Sequence, residues 1–391
     1  MPEGLSFEEL IFHWLCPMYA MYTEEEEKLS AQLAATEMLK SGTTSFIEAG
    51  TVKHIDAVVD ALVGIGIRAR VGKWIWDLPP EPVEFAHTTD EAIAALEKVL
   101  VDHRNVAGGR IQAWAMVLGH TTCSDELWAA SVEAARRWDT GINFHMSHAE
   151  GDPQGFLAQF GHRPIEHLNK LGVLGASTVV AHAVHVDDHE ISLLAQSGTS
   201  VAHCPSSHIR CSIGISQVGR IPEMLRAGVN VGLGTDGNNA SNYSDLMRVT
   251  YLVAGLFKDA RRDPHLIPAE KAFELATLGG AKAMLAEHEV GSLEAGKKAD
   301  IVLHDRSRPE WTPLLNVANQ LVWSADGRGV HTVFVDGQKV VDNYRMTTID
   351  EADLYAKAQA AGEAIVARSG LPDGGSGRRS DGEPTPQINP P

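Results

Sequence analysis

The chain has 391 residues, 44% of them apolar and 21% charged, with a formal net charge of −18. That length and balance exclude a disordered chain or a small disulfide-built fold, and allow one large α/β domain with or without an appendage. The acidic excess sets nucleic acid and anionic membrane aside as partners and says little about the substrate.

Residues 1–22 are apolar and aromatic without a clear period. Thr23 followed by Glu26 then reads as a capping box, and the acidic run 24–27 suits the start of a helix that ends at Gly42. A strand at 43–50 opens a repeated alternation: helix 55–63, strand 67–76, helix 90–103, strand 111–118, helix 125–138 and strand 142–147. After an insertion containing RPIEHLNKLG come strand 177–184, helix 187–198, strand 199–204, helix 221–228 and a strand at 229–236, with further helices at 244–258 and 268–285. Strands alternating with helices predict a parallel sheet, and this many units in succession predict a (β/α)8 TIM-like barrel over residues 1–285. Seven strands are countable where such a barrel has eight, so the first strand is expected to be missing. Two unpaired edges would follow, so aggregation, a homo-oligomer, or the N-terminal segment filling the gap is the expectation.

Beyond Leu285 the helical alternation stops. VGSLEAGKKADIVLHD and GVHTVFVDGQKVVDN predict short strands of a small β-sandwich appendage at 286–346, followed by a helix at 347–368 and a disordered tail at 369–391. Cys16, Cys123, Cys204 and Cys211 lack CxxC spacing and fit a reducing compartment, and no apolar run has the length of a membrane span. A cytoplasmic location is the expectation from these two features.

Chemistry is expected at the C-terminal ends of the strands. His145 in INFHMSHAEGD, His182 in VVAHAVHVDD and His203 in SVAHCPSS stand at three successive strand ends, and Asp236 closes VGLGTDGNNASN. Any one of these histidines alone reads as a hydrogen-bonded core or loop residue, and Asp236 alone as a helix cap. Together they supply imidazole and carboxylate from separate strands to one mouth, as a divalent metal with an open water position requires. His162, His167, Trp74, Trp76 and Trp114 read as packing or helix-surface residues.

These segments, with EMLKSGTTSFIEAG and VGSLEAGKKADIVLHD, resemble the amidohydrolase superfamily, in the branch of atrazine chlorohydrolase and the cytosine- and guanine-type deaminases. The resemblance runs from about residue 10 to 345. It implies a metal-dependent hydrolase of carbon–nitrogen or related bonds in a small heterocyclic or amide-type substrate. It also implies one divalent ion, zinc or iron, because IQAWAMVLG has no lysine to bridge two metals. His145, Asp236 and His182 are the implied ligands, with Asp236 also the proton acceptor, His182 handling water or substrate, and His148 a third acid–base group.

Two departures qualify the resemblance. The family's first strand carries a His-x-His pair, and no such pair occurs in this chain, where His13 is solitary; the sequence is expected to begin just past that strand. Relatives also place glutamate three residues after the fifth-strand histidine, where this chain has His148, with Glu150 two further on. A histidine can do acid–base work near neutral pH but presents a different electronic pattern to substrate. The rival expectation is a catalytically inactive, truncated relative with a binding or structural role.

Overall fold

The computed structural model describes residues 9–78, 85 and 87–370. The tail expected from 369 onward lies outside the described residues from 371.

Eight short segments form the parallel part of the molecule: β1 (Ser45–Ile47), β2 (Arg68–Val71), β3 (Ile111–Ala113), β4 (Ala115–Gly119), β5 (Ile142–Met146), β6 (Thr178–His182), β7 (Ser200–His203) and β8 (Val231–Leu233). They pair in the order β1-β2-β3 and β4-β5-β6-β7-β8. Only Trp114 separates β3 from β4, so 111–119 is one continuous stretch that pairs first with β2 and then with β5. The sheet therefore has the seven positions counted in the sequence. Among the described residues β1 and β8 each have one strand neighbour.

The observed strands are shorter than their apolar runs. The run at 67–76 ends as a regular strand at Val71, and a single parallel bridge from Thr51 to Lys73 carries the pairing a little further. Helices follow the strands with explicit starts. The Thr23–Glu26 capping box is present in full, and two more occur at Thr88–Glu91 and Asp187–Glu190. Each satisfies two backbone donors that a helix start leaves without partners.

The helix expected at 268–285 is instead three pieces, Ala269–Glu274, a π-turn at Leu275–Gly279, and Gly280–Ala283. Close packing on β8 accounts for the break. A Cβ at Gly279 would stand 2.4 Å from the Val231 carbonyl oxygen, and the Asn230 side-chain amide donates to the Gly279 carbonyl at 3.1 Å. Only glycine backbone fits there.

The appendage is a four-stranded antiparallel sheet in the order β12-β11-β10-β9, built from β9 (Ile301–His304), β10 (Val330–Val335), β11 (Gln338–Asp342) and β12 (Arg345–Met346). Its valines 330, 333, 335, 340 and 341 share one core with Leu39, Leu62, Ile65 and Ile67. A larger core, containing Trp76, Trp128, Phe144, Phe156 and Phe257, fills the space between β4–β8 and their helices. Trp114 is buried in a separate small cluster with Met116 and Val179, the packing role expected of it.

Candidate active site

The parallel register sets the height of each side chain at the mouth. Met146 pairs with His182, His145 with Ala181, and His203 with Leu233, so β5, β6 and β7 end almost level and deliver their histidines side by side. The His145 and His182 rings stack with centroids 5.4 Å apart.

His145 is held by its own neighbours. Its Nδ1 lies 2.8 Å from the Leu118 carbonyl oxygen, which fixes the proton on Nδ1 and leaves Nε2 as a bare lone pair. Burial, with His120 adding to it, pushes its pKa down to about 4, so the ring is neutral as a metal ligand must be. Gly119 is paired with His145 and has φ +92°; a Cβ there would lie 2.0 Å from the His145 carbonyl oxygen. Gly119→Ala is therefore expected to displace the end of β5 and to destabilise the fold by about 2–4 kcal/mol, the sum of a left-handed alanine and overpacking. Urea unfolding checks it, and a loss below about 0.5 kcal/mol would show that the strands tolerate the shift.

Backbone strain collects at these strand ends. His120, Ser147, His182, Ala183 and Asp236 all have positive φ, from +48° to +79°. Such conformations cost non-glycine residues on the order of 1 kcal/mol each and cluster where a site requires them.

Asp236 caps no helix of its own. Its Oδ1 accepts the Gly237 backbone N–H at 2.7 Å, while burial pushes its carboxyl above the ordinary value against the pull of Ser207 and that N–H. The loop after β8 is pinned from outside. The Glu37 carboxylate accepts from the Asn238 side chain at 2.7 Å and the Ser244 backbone N–H at 2.9 Å, and Ser206 donates to the Thr235 carbonyl at 3.0 Å. Asn239 donates to the Tyr19 hydroxyl, and Tyr19 meets Trp74 edge-on at 5.8 Å, bringing the N-terminal segment against the same loop.

His148 is 1% exposed and meets His182 edge-on at 4.3 Å. His203 is fully buried, neither ring nitrogen has a hydrogen-bond partner among the described residues, and burial lowers its pKa to about 3. Two further histidines join the cluster that sequence reading passed over. His120 follows β4, stacks on His145 at 5.7 Å, and places Nδ1 2.7 Å from Asp152. His208, in the helix Pro205–Arg210, lies with its Nε2 3.0 Å from His182 Nδ1. His120 was within reach of the strand-end argument, one residue past a glycine that closes an apolar run. His208 sits on a six-residue helix whose short PSSHIR sequence has no period to read.

Of the predicted ligands, the His145 and His182 rings stack on one another, while Asp236 stands at the start of the loop after β8 with its carboxylate on the Gly237 N–H. Among the described residues, the only three candidate ligands whose donor atoms all lie within 4.8 Å of one another are His148, His182 and His208. The implied group of two imidazoles and one carboxylate nonetheless has the donor chemistry of zinc or non-haem iron. His162 and His167 resolve as expected: His162 lies 2.8 Å from Lys170, and His167 stacks on Phe160 and sits 2.8 Å from Asp125.

Residues 3–340 match the sequence model of the Amidohydrolase family. The chain belongs to that family. It is 35% identical over 355 residues to the 5-methylthioadenosine/S-adenosylhomocysteine deaminase of Moorella thermoacetica, covering 91% of this chain and 80% of that one. It is 32% identical over 367 residues to the 5'-deoxyadenosine deaminase of Methanosarcina acetivorans, covering 94% and 82%. Among solved structures, an adenosine deaminase from Xanthomonas campestris with bound zinc superposes with a TM-score of 0.84 at 27% identity, over 93% of this chain and 81% of that one. The zinc-complexed atrazine chlorohydrolase of Arthrobacter aurescens superposes with a TM-score of 0.83 at 22% identity, over 92% and 83%, a likeness of fold.

Proposed function

We propose that this amidohydrolase is a deaminase of adenosine-type nucleosides, hydrolysing the exocyclic carbon–nitrogen bond of a 6-aminopurine ring and releasing ammonia. The observation that carries the reading is the similarity, over more than nine-tenths of the chain, to relatives named as deaminases of 5-methylthioadenosine, S-adenosylhomocysteine and 5'-deoxyadenosine. The level strand ends that carry His145 and His182, and Asp236 after β8, support it as a source of imidazole and carboxylate groups.

In this reading His145, Asp236 and His182 hold one divalent ion, zinc or iron. When bound, such an ion supplies Lewis acidity that lets water ionise near neutral pH. The chain's own groups do the rest. Asp236 takes the proton from the attacking water at a carboxylate oxygen. His182 orients that water against the ring carbon. His148, standing where relatives have glutamate and kept neutral by burial, accepts the other water proton at its lone pair and gives it to the ring nitrogen, and Asp236 returns the proton it took to the departing amine. Tyr19 and Trp74, edge to face beside the Asp236 loop, offer an aromatic wall for the base.

Ammonia release from adenosine, 5'-deoxyadenosine and 5-methylthioadenosine by zinc-loaded protein tests the reading. Turnover of at least one is expected, and no release from any, with the nucleosides bound, would leave the inactive-binder reading instead. His148→Glu is expected to raise kcat/KM on 6-aminopurine nucleosides by at least about tenfold, the scale of a well-matched general acid. An unchanged value would remove His148 from proton transfer.

A further inference from the structure

Strand β2 reads RARV, and its alternation divides the chemistry between two faces. Ala69 and Val71 join the core shared with the appended sheet, so Arg68 and Arg70 point the other way. That other side is the interior of the parallel strands: Ile47, the register partner of Arg70 on β1, packs there with Trp114 and with Val179 of β6. Apolar side chains normally fill such a space. Here two guanidiniums enter it from alternate residues of one strand, and Arg68 and Arg70 are 1% and 3% exposed.

The two charges are compensated unequally. Arg68 is held at two points by Asp300, with Glu289 3.7 Å away. Arg70 has several N–H donors, and among the described residues only Nε has a partner, the Met284 carbonyl at 3.2 Å. Its Nη1 is buried and has none there. No carboxylate stands in register beside it, since its neighbours on β1 and β3 are Ile47 and Gln112. Ile47 also packs on Met284 and Ala286, so the surroundings are apolar. Burial, with the Arg68 charge adding to it and Glu289 opposing, pushes Arg70 down to about 10, which leaves it charged at neutral pH. A buried cation without a counter-ion costs far more than an unmade neutral hydrogen bond. Water satisfies an N–H but brings no charge.

We propose that Arg70 binds one small monovalent anion of the halide class inside the parallel strands, with Nη1 donating to the ion and Arg68 supplying a second positive charge. The planar guanidinium is weakly hydrated and always ready to donate, so it loses little on meeting such an ion away from water. Phosphate and sulfate are disfavoured, because a dianion would overcompensate one excess charge and lose more hydration among apolar side chains. Glu289 does not take this place: its carboxylate faces Arg68 and is half-exposed. The inference does not depend on the deaminase reading, since it concerns the charge balance of β2 and no group at the mouth.

Thermal unfolding of the whole protein, with sodium gluconate replaced by sodium chloride at constant ionic strength, tests it. The melting temperature is expected to rise by about 3 °C once chloride is about 100-fold above its dissociation constant, by mass action on the folded state. In Arg70→Leu, which removes the excess charge, the two salts should give melts within about 1 °C of each other. A parent melt that ignores chloride overturns the proposal. An equal response in folded Arg70→Leu also overturns it, since that means an adventitious ion only. Anomalous diffraction from crystals of the unaltered protein in sodium bromide decides the matter if Arg70→Leu does not fold. One bromide in contact with the Arg70 guanidinium is expected, and bromide confined to the molecular surface overturns the proposal.

Discussion

Asp236→Asn is expected to lower nucleoside hydrolysis by about 10²–10⁴-fold, the usual contribution of a positioned general base, with the fold intact. The backbone reasons for an intact fold are specific. Asp236 has φ +65°, and asparagine enters the left-handed region about as readily as aspartate. Its Oδ1 accepts the Gly237 N–H, which an amide oxygen can accept equally well. The loop is held mainly through Glu37, Ser206 and Asn238, none of which the substitution touches. What disappears is the negative charge and the ability to take a proton from water. The measurement is kcat from ammonia release at saturating zinc, beside a thermal melt. Turnover within a factor of three of the parent, with an unchanged melt, would mean that another group is the base.

The alternation of strand and helix was legible because each apolar run stops at a glycine or polar turn, as at Gly42 and Gly198, which have φ of +93° and +76°. The capping pair Thr23–Glu26 was legible for a local reason: its two hydrogen bonds form within one helical turn. Strand lengths were not, because the residues after Val71 keep an apolar sequence while leaving regular pairing. Nor was the break in 268–285, which depends on how closely Gly279 approaches Val231 across the fold. The strand-end histidines could be found because register brings successive strand ends level. His208 could not, since its place beside His182 comes from the direction of a six-residue helix and from no feature of its own segment.

The largest stability effect expected lies away from this mouth, at the junction of the parallel strands and the appended sheet. Arg68 of β2 is 1% exposed at its side chain and forms a two-point contact with Asp300, Nε to Oδ2 at 3.0 Å and an Nη to Oδ1 at 2.9 Å; Asp300 is itself 3% exposed. Asp300 also accepts the Asp336 backbone N–H at 2.8 Å, so one carboxylate ties β2 to the start of β9 and the turn after β10. Asp300→Ala leaves a buried guanidinium with no close partner, faced by Glu289, at 3.7 Å and half-exposed, and by the more distant charge of Asp336. Breaking a buried pair from one side costs about 3–5 kcal/mol, most of it the penalty of the charge left behind. Nearby Arg70 is also buried, with the Met284 carbonyl accepting from its Nε at 3.2 Å and no carboxylate in an ion pair with it among the described residues, so the strand has little capacity for a second uncompensated cation. The double replacement Arg68→Met with Asp300→Ala should therefore be more stable than Asp300→Ala alone, because it removes the stranded charge. Urea unfolding of the parent, both single variants and the double variant gives the four free energies. A loss below about 1 kcal/mol in Asp300→Ala would show that water reaches Arg68, and a double variant weaker than the single would show that the pair holds the sheet by shape and not by charge.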